Sequence, residues 1–291
     1  MFGKKKENSG SLVVQEREYI LDANTDFFIR ESYNALRSNI TFSLTVKGCK
    51  VISVTSANPH EGKSITSLNL AISYSEIGKK VLLVDFDLRK PKVHRLLRLA
   101  PSPGVSNVLI NECSIEDAIK NVEKYNIDVI TSGDIPPNST QLLESEMLEE
   151  LLETVKKKYD YVILDTPPVD VVIDGCIIAK YISGVVFVVK QNYSKRDEVV
   201  NAVKQLEFSQ GKILGFVLND ITDKKLLNFN YGYKYKKYKY GKYGYKNGYR
   251  YEYKSHSTQS STSQTAQPAA AQTAQTPSVT QSPARPKSTN K

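Results

Sequence analysis

The sequence predicts an α/β domain with a central, mainly parallel sheet flanked by helices, followed by a disordered C-terminal tail. Three observations predict it. Six short runs are apolar throughout rather than alternating, helical segments separate them, and the whole pattern stops near Lys224. Strands that are apolar on both faces, each followed by a helix, belong to a parallel sheet covered on both sides.

Residues 1–24 are polar and read as an irregular N-terminal extension, and the domain is expected over 25–225. Asp26 is the expected cap of a first helix, in which Phe28, Tyr33, Leu36, Ile40 and Leu44 recur at three- to four-residue spacing. The apolar runs are KVISVTS (50–56), KVLLVDFD (80–87), IDVITSG (127–133), YDYVILDTPP (159–168), GVVFVVKQ (184–191) and KILGFVLND (212–220). The clearest amphipathic segments are 141–158 and 195–210, the second capped by Ser194 before it and Gly211 after it. Ligands of such folds bind beyond the carboxyl ends of the strands, where three of these runs end in polar residues.

Charge divides the 291 residues sharply. The net charge is +9, yet from Tyr231 onward eleven Lys and Arg face a single acid, Glu252, which gives the tail +10 and leaves 29 basic and 30 acidic residues before it. The basicity therefore belongs to the tail and not to the domain. Three cysteines far apart (Cys49, Cys113 and Cys176) show no metal-ligand spacing and fit a reducing cytoplasm. The N-terminus lacks the apolar core of a secretory signal, and no apolar run approaches the length of a membrane span.

The segment ANPHEGKS, Ala57 to Ser64, follows the first strand and opens a helix. Its spacing is that of a phosphate loop, with Ala57 in place of the usual first glycine. Backbone N–H groups of such a loop point at phosphate oxygens, a lysine adds charge at the β/γ phosphates, and a hydroxyl ligates Mg²⁺. Asn58, Pro59, His60, Glu61, Gly62, Lys63, Ser64 and Ile65 are accordingly the candidate nucleotide-binding residues. His60 reads as a loop residue of the kind tolerated at positive φ. Asp85 and Asp87 end one apolar run and Asp165 ends another. Three carboxylates at strand ends in a chain with a phosphate loop are expected around Mg²⁺ and the attacking group.

TSANPHEGKS, KKVLLVDFDLRKP and YDYVILDTPPV resemble the Walker A, A′ and B motifs of the bacterial tyrosine kinases, phosphate-loop enzymes of capsule and exopolysaccharide assembly. The resemblance extends through GDIPPNSTQLLES and LGFVLND, roughly residues 26–225. It implies that Lys63 and Ser64 hold the ATP phosphates and Mg²⁺, with Asp87 and Asp165 positioning the metal. It implies further that Asp85 orients or deprotonates the incoming tyrosine and that Asn219 touches the adenine. The family's Glu-x-x-Arg-x-x-Arg motif of ring assembly keeps Glu31 and Arg37 here, with Asn34 in the middle. Short relatives of this type imply a membrane-spanning co-polymerase as activator, a cognate tyrosine phosphatase, and recruitment to the inner face of the cell membrane.

The family also ends in a tyrosine cluster. Here it spans 226–254 and offers Tyr231, Tyr233, Tyr235, Tyr238, Tyr240, Tyr243, Tyr245, Tyr249, Tyr251 and Tyr253 as phosphate acceptors. Residues 255–291, rich in Ser, Thr, Gln, Ala and Pro, have too few aliphatic residues to offset the entropy of ordering. Two other readings compete: a partitioning- or assembly-type ATPase, whose signature lysine position is occupied here by Asn58, and a nucleic-acid-binding tail of interleaved cations and rings. No nucleic-acid motif accompanies the second, and none is expected as a partner.

Overall fold

The computed structural model describes residues 15–222; residues 1–14, the tyrosine cluster and the low-complexity tail lie outside the described residues. The apolar runs form strands in the expected order. After a single turn at Arg17–Tyr19 come α1 (Phe27–Ser43), β1 (Lys50–Ser56), α2 (Lys63–Ser75), β2 (Val81–Asp85), α3 (Val93–Leu97), α4 (Val105–Leu109) and α5 (Ile115–Ala118). The chain continues with β3 (Ile119–Val122), β4 (Ile127–Ile130), α6 (Ser139–Leu143), α7 (Glu146–Lys156), β5 (Tyr161–Asp165), α8 (Asp174–Ile178), β6 (Gly184–Lys190), α9 (Arg196–Phe208) and β7 (Ile213–Asn219).

The seven strands form one sheet in the order β3-β4-β2-β5-β1-β6-β7. Every pairing is parallel except β3 with β4, which makes the sheet mixed. Alternate residues of the central strands feed two cores. Ile52, Val54, Leu83 and Ile163 pack under α1 and α2, whereas Val51, Leu82, Val84, Val162 and Leu164 pack against the helices of the other face. That two-sided burial is why these runs are apolar throughout.

α2 is the central helix. Twelve of its thirteen residues are buried, because the sheet covers one side and α1 and the N-terminal segment cover the other. Arg37 on α1 reaches across to the Ser73 carbonyl at 2.6 Å and its hydroxyl at 2.7 Å. Asn69 of α2 accepts from Leu21 N–H at 2.9 Å and donates to the Tyr19 carbonyl at 2.8 Å. Ile20 and Leu21 are core residues, so the packed domain begins before residue 25, earlier than its expected boundary.

Other details depart from the sequence reading for local reasons. Asp26 caps α1 as expected, accepting from Phe28 N–H at 2.8 Å, but Phe28 itself is exposed. The segment 141–158 is two helices, α6 and α7, broken at Glu144–Ser145. α7 buries Leu148, Leu151, Leu152 and Val155. Each such side chain contributes about 1.5–3 kcal/mol in the transfer view. Ser194 does not cap α9; its hydroxyl bonds to Glu61 and accepts from Lys190 N–H. The left-handed residue after α9 is Gln210 at φ 60°, not Gly211, whose N–H returns to the Leu206 carbonyl.

Candidate active site

The carboxyl ends of β1, β2 and β5 converge by register. Val54 of β1 and Asp85 of β2 both pair with Asp165 of β5. The loop leaving β1 therefore starts beside two aspartates contributed by its sheet neighbours. Ala57 is buried with Val169 and Phe187, so its methyl anchors the loop to the core where a glycine would leave a gap.

The loop then turns on two left-handed residues, His60 at φ 67° and Gly62 at φ 95°. His60 is exposed, as a loop residue should be. Glu61 is fully buried and accepts from Asn58 N–H at 2.9 Å and from the Ser194 hydroxyl. Asn58 donates its side-chain amide to Glu198 of α9 at 2.7 Å, and Tyr193 donates its hydroxyl to the Pro59 carbonyl at 3.1 Å. Asn219, at the end of β7, donates to the Glu61 carbonyl at 2.9 Å. This bond braces the phosphate loop, a use of Asn219 that its sequence position does not reveal. Ser64 is buried and Ile65 partly so in the first turn of α2, whose unpaired backbone N–H groups form an anion-binding end.

Lys63 lies below this end. Its ammonium donates to Asp87 Oδ2 at 2.8 Å and stands 3.6 Å from Asp165 Oδ1. Burial alone would lower its pKa, but Asp165 and Asp87 outweigh burial and hold it above the ordinary lysine value. One ammonium faces three buried carboxyl groups, so acids outnumber bases in the cluster. Burial first, and then the charge of Asp165, push Asp85 well above the usual carboxylate range. Burial raises Asp165 too, against the pull of Lys63 and the Ser64 hydroxyl.

The three carboxylates differ in what holds them. Asp85 is fully buried and accepts from the backbone N–H groups of Asp87 (3.1 Å), Lys92 (3.2 Å) and Val93 (3.0 Å). Asp87 accepts from Lys90 N–H at 2.9 Å as well as from Lys63. Asp165 Oδ1 accepts weakly from the Ser67 hydroxyl at 3.4 Å, while its Oδ2 is buried with no hydrogen-bond partner. An orphaned carboxylate oxygen in an over-acidic cluster, beside a serine hydroxyl, is a donor set suited to a hard cation. Among the described residues no group of three or more His, Cys, Asp or Glu could hold a metal ion.

Two arrangements escaped the sequence reading. Arg89, two residues past Asp87, forms a bidentate pair with the fully buried Asp174 of α8, at 2.9 and 3.1 Å, and also donates to the Thr140 hydroxyl at 2.9 Å. The turn carrying Asp87 is thereby tied to α6 and α8. Glu31 and Arg37, the pair expected to face a neighbouring subunit, make contacts within this one: Glu31 accepts from Asn34 at 2.7 Å and Arg37 bonds Ser73.

Comparison with known proteins agrees with this geometry. The AAA domain family matches residues 49–212. Tyrosine-protein kinase YwqD of Bacillus subtilis is 37% identical over 229 residues, covering 78% of this chain and 94% of that protein. The crystal structure of the chimerical protein CapA2B2 superposes with a TM-score of 0.65 at 36% identity, covering 75% of this chain and 92% of the other. The kinase domain of Escherichia coli tyrosine kinase ETK also gives 0.65, at 28% identity and coverages of 76% and 80%. With 37% identity over nearly the full length of YwqD, and the same fold as two solved relatives, the chain belongs to the bacterial tyrosine-protein kinases.

Proposed function

We propose that this kinase transfers the γ-phosphoryl group of ATP, with Mg²⁺, to tyrosines 231–253 of a neighbouring copy. The observation that carries the reading is the buried Lys63–Asp87–Asp165 cluster at the N-terminus of α2, with one Asp165 oxygen unpartnered. Lys63 is held ready by two carboxylates, and phosphate oxygens compete for its ammonium. Bound Mg²⁺ would neutralise charge developing on the phosphates, with Ser64, Asp87 and Asp165 as its protein-side partners. A phenol of pKa about 10 needs help in losing its proton at neutral pH. We assign that proton to the Asp85–Asp87 pair. Asp85 has the raised proton affinity, and Asp87, joined to it through its own N–H, is the more accessible of the two.

Transfer between copies is favoured by a tether, since a tail beside several active sites has a high effective concentration. The exposed Phe27, Phe28, Ile29 and Phe42 of α1 offer an apolar surface for assembly of copies in addition to Glu31. No helix among the described residues is long and apolar enough to cross a membrane. A membrane-spanning co-polymerase is the proposed anchor and activator at the inner membrane face, a tyrosine phosphatase resets the tail, and capsule or exopolysaccharide assembly is the process regulated. Phosphorylation of so basic a tail reverses its charge and changes what it binds.

The test is incubation of the full chain with ATP and Mg²⁺, with and without the cytoplasmic segment of a candidate activator, followed by mapping of phosphate by mass spectrometry. Phosphotyrosine within 231–253 that is absent from Lys63→Met is the expected result. ATP hydrolysis without phosphotyrosine, even with activator, would overturn the reading in favour of an assembly ATPase.

A further inference from the structure

Tyr193 links the phosphate loop to the root of the C-terminal tail. Its hydroxyl donates to the Pro59 carbonyl of the loop at 3.1 Å, and the next residue, Ser194, bonds the buried Glu61. On its other side the same turn holds the chain where it leaves the domain. Lys190 lies 5.7 Å above the Tyr193 ring and pairs with Asp220 at 3.1 Å, and Thr222 N–H donates to the Gln191 side chain at 2.8 Å. Asn192, at φ 59°, makes the turn that presents the ring.

Two tyrosines among the described residues have well-exposed side chains, Tyr19 at 64% and Tyr193 at 47%. The others are buried or partly covered. Of the two exposed phenols, the one on Tyr193 bonds to the nucleotide loop. Its surroundings also match the proposed substrate. KQNYSK is a polar stretch with lysines on both sides of the tyrosine and no aliphatic residue; KKYKYGK in the tail shares that composition, and in YKNGYR a lysine precedes Tyr249 and an arginine follows it. An active site that accepts tyrosine among lysines has no chemical ground to refuse this one.

We propose that Tyr193 is a second class of phosphorylation site, on the domain itself, and that its phosphorylation weakens nucleotide binding. The proposal rests on the reading of this chain as a kinase of its own copies. The phenol oxygen attacks the γ-phosphorus of ATP held by a second copy, the bond to the bridging oxygen breaks, and the phenolic proton passes to that copy's carboxylates. The products are phosphotyrosine and ADP. A second copy is required because the Tyr193 hydroxyl is held on the Pro59 carbonyl of its own loop and bonds no member of the Lys63 cluster.

The consequences follow from local contacts. Phosphorylation removes the hydrogen bond to Pro59 and sets nearly two negative charges beside a loop whose purpose is to receive phosphates. Lys190 lies over the ring, and a phosphate there draws it from Asp220, loosening the attachment of the tail root. The kinase thereby limits its own turnover once neighbouring copies have acted on it.

The experiment treats full-length wild type, Tyr193→Phe and Lys63→Met chains with ATP and Mg²⁺, maps phosphotyrosine, and then measures ADP affinity by calorimetry. The expected result is phosphate on Tyr193 in wild type and none in Lys63→Met, with ADP bound about five- to tenfold more weakly by treated wild type than by treated Tyr193→Phe. Phosphate within 231–253 but none on Tyr193 would overturn this site and leave the kinase reading intact. No phosphotyrosine anywhere would overturn both. Phosphate on Tyr193 with equal ADP affinities in the two treated proteins would overturn the control it is proposed to exert.

Discussion

Asn219 and Gly62 are packed so closely that a Cβ on Gly62 would lie 2.0 Å from the Asn219 amide nitrogen. That nitrogen is the one bonded to the Glu61 carbonyl, so the left-handed turn of the loop and its brace from β7 occupy the same space. Gly62→Ala carries a positive-φ strain of about 1–2 kcal/mol. It also expels Asn219 from a bond worth about 1 kcal/mol. Chemical denaturation is expected to show a loss of about 2–3 kcal/mol, with ATP binding abolished or much reduced. Because the clash and the lost bond share one partner, Gly62→Ala with Asn219→Ala is expected to cost less than the sum of the two single changes.

Arg89 neutralises an aspartate with no exposed surface. Removing it leaves Asp174 as a buried charge held by the Thr140 hydroxyl at 3.2 Å and lacking its cation. Breaking a fully buried pair costs about 3–5 kcal/mol, but the Arg89 side chain is 41% exposed, which moderates the loss to about 2–3 kcal/mol. Arg89→Ala should lower the denaturation midpoint by that amount and reduce phosphotyrosine formation through displacement of Asp87. Asp174→Asn with Arg89→Ala should recover part of the stability, since the orphaned charge is gone. A double variant no more stable than Arg89→Ala alone would show that the pair acts through something other than charge.

The N-terminal segment is part of the folded unit. Leu21 is 1% exposed and its N–H is bonded to Asn69. Leu21→Ala is expected to cost about 2–4 kcal/mol by the usual transfer and cavity terms. A chain beginning at Thr25 should lose at least as much, seen as a lower midpoint in urea. It also loses the Lys92–Glu16 ion pair at 2.7 Å and the contact of Arg17 with the Arg95 carbonyl, both of which reach the helix following Asp87.

What could be read from the sequence follows from the range of the interactions. β1, β2, β5 and β6 are buried on both faces, so their apolar runs announce them, and the spacing of Lys63 and Ser64 after β1 is local. β3 was illegible because it is a four-residue antiparallel edge with one exposed and three half-buried residues, which leaves no apolar run. The helices of four or five residues are too short to show a period. Ser194 looked like a cap because a serine before a helix usually is one, yet its hydroxyl is drawn to Glu61, 133 residues away. The braces of the loop, Tyr193–Pro59 and Asn58–Glu198, span more than 130 residues each, and no spacing rule reaches that far. Motif spacing placed the charged cluster, whereas the scaffold that positions it is visible only in three dimensions.

His94 gives the domain a pH dependence of a definite sign. Its Nδ1 is buried without a hydrogen-bond partner, and burial, followed by the neighbouring Arg95, lowers its pKa below the ordinary value of 6.5. The unfolded chain therefore binds more protons than the folded one between those two values. Stability is fully present above pH 6.5 and falls as acid takes the histidine through its lowered folded pKa. His94→Gln, which cannot be charged, should show a flatter dependence of its urea midpoint between about pH 7 and pH 5. The carboxylates titrate in both proteins, so the difference between the two curves isolates the histidine. Parallel curves would mean that His94 gains its proton as readily folded as unfolded, and that the burial of its ring nitrogen is relieved by movement of α3.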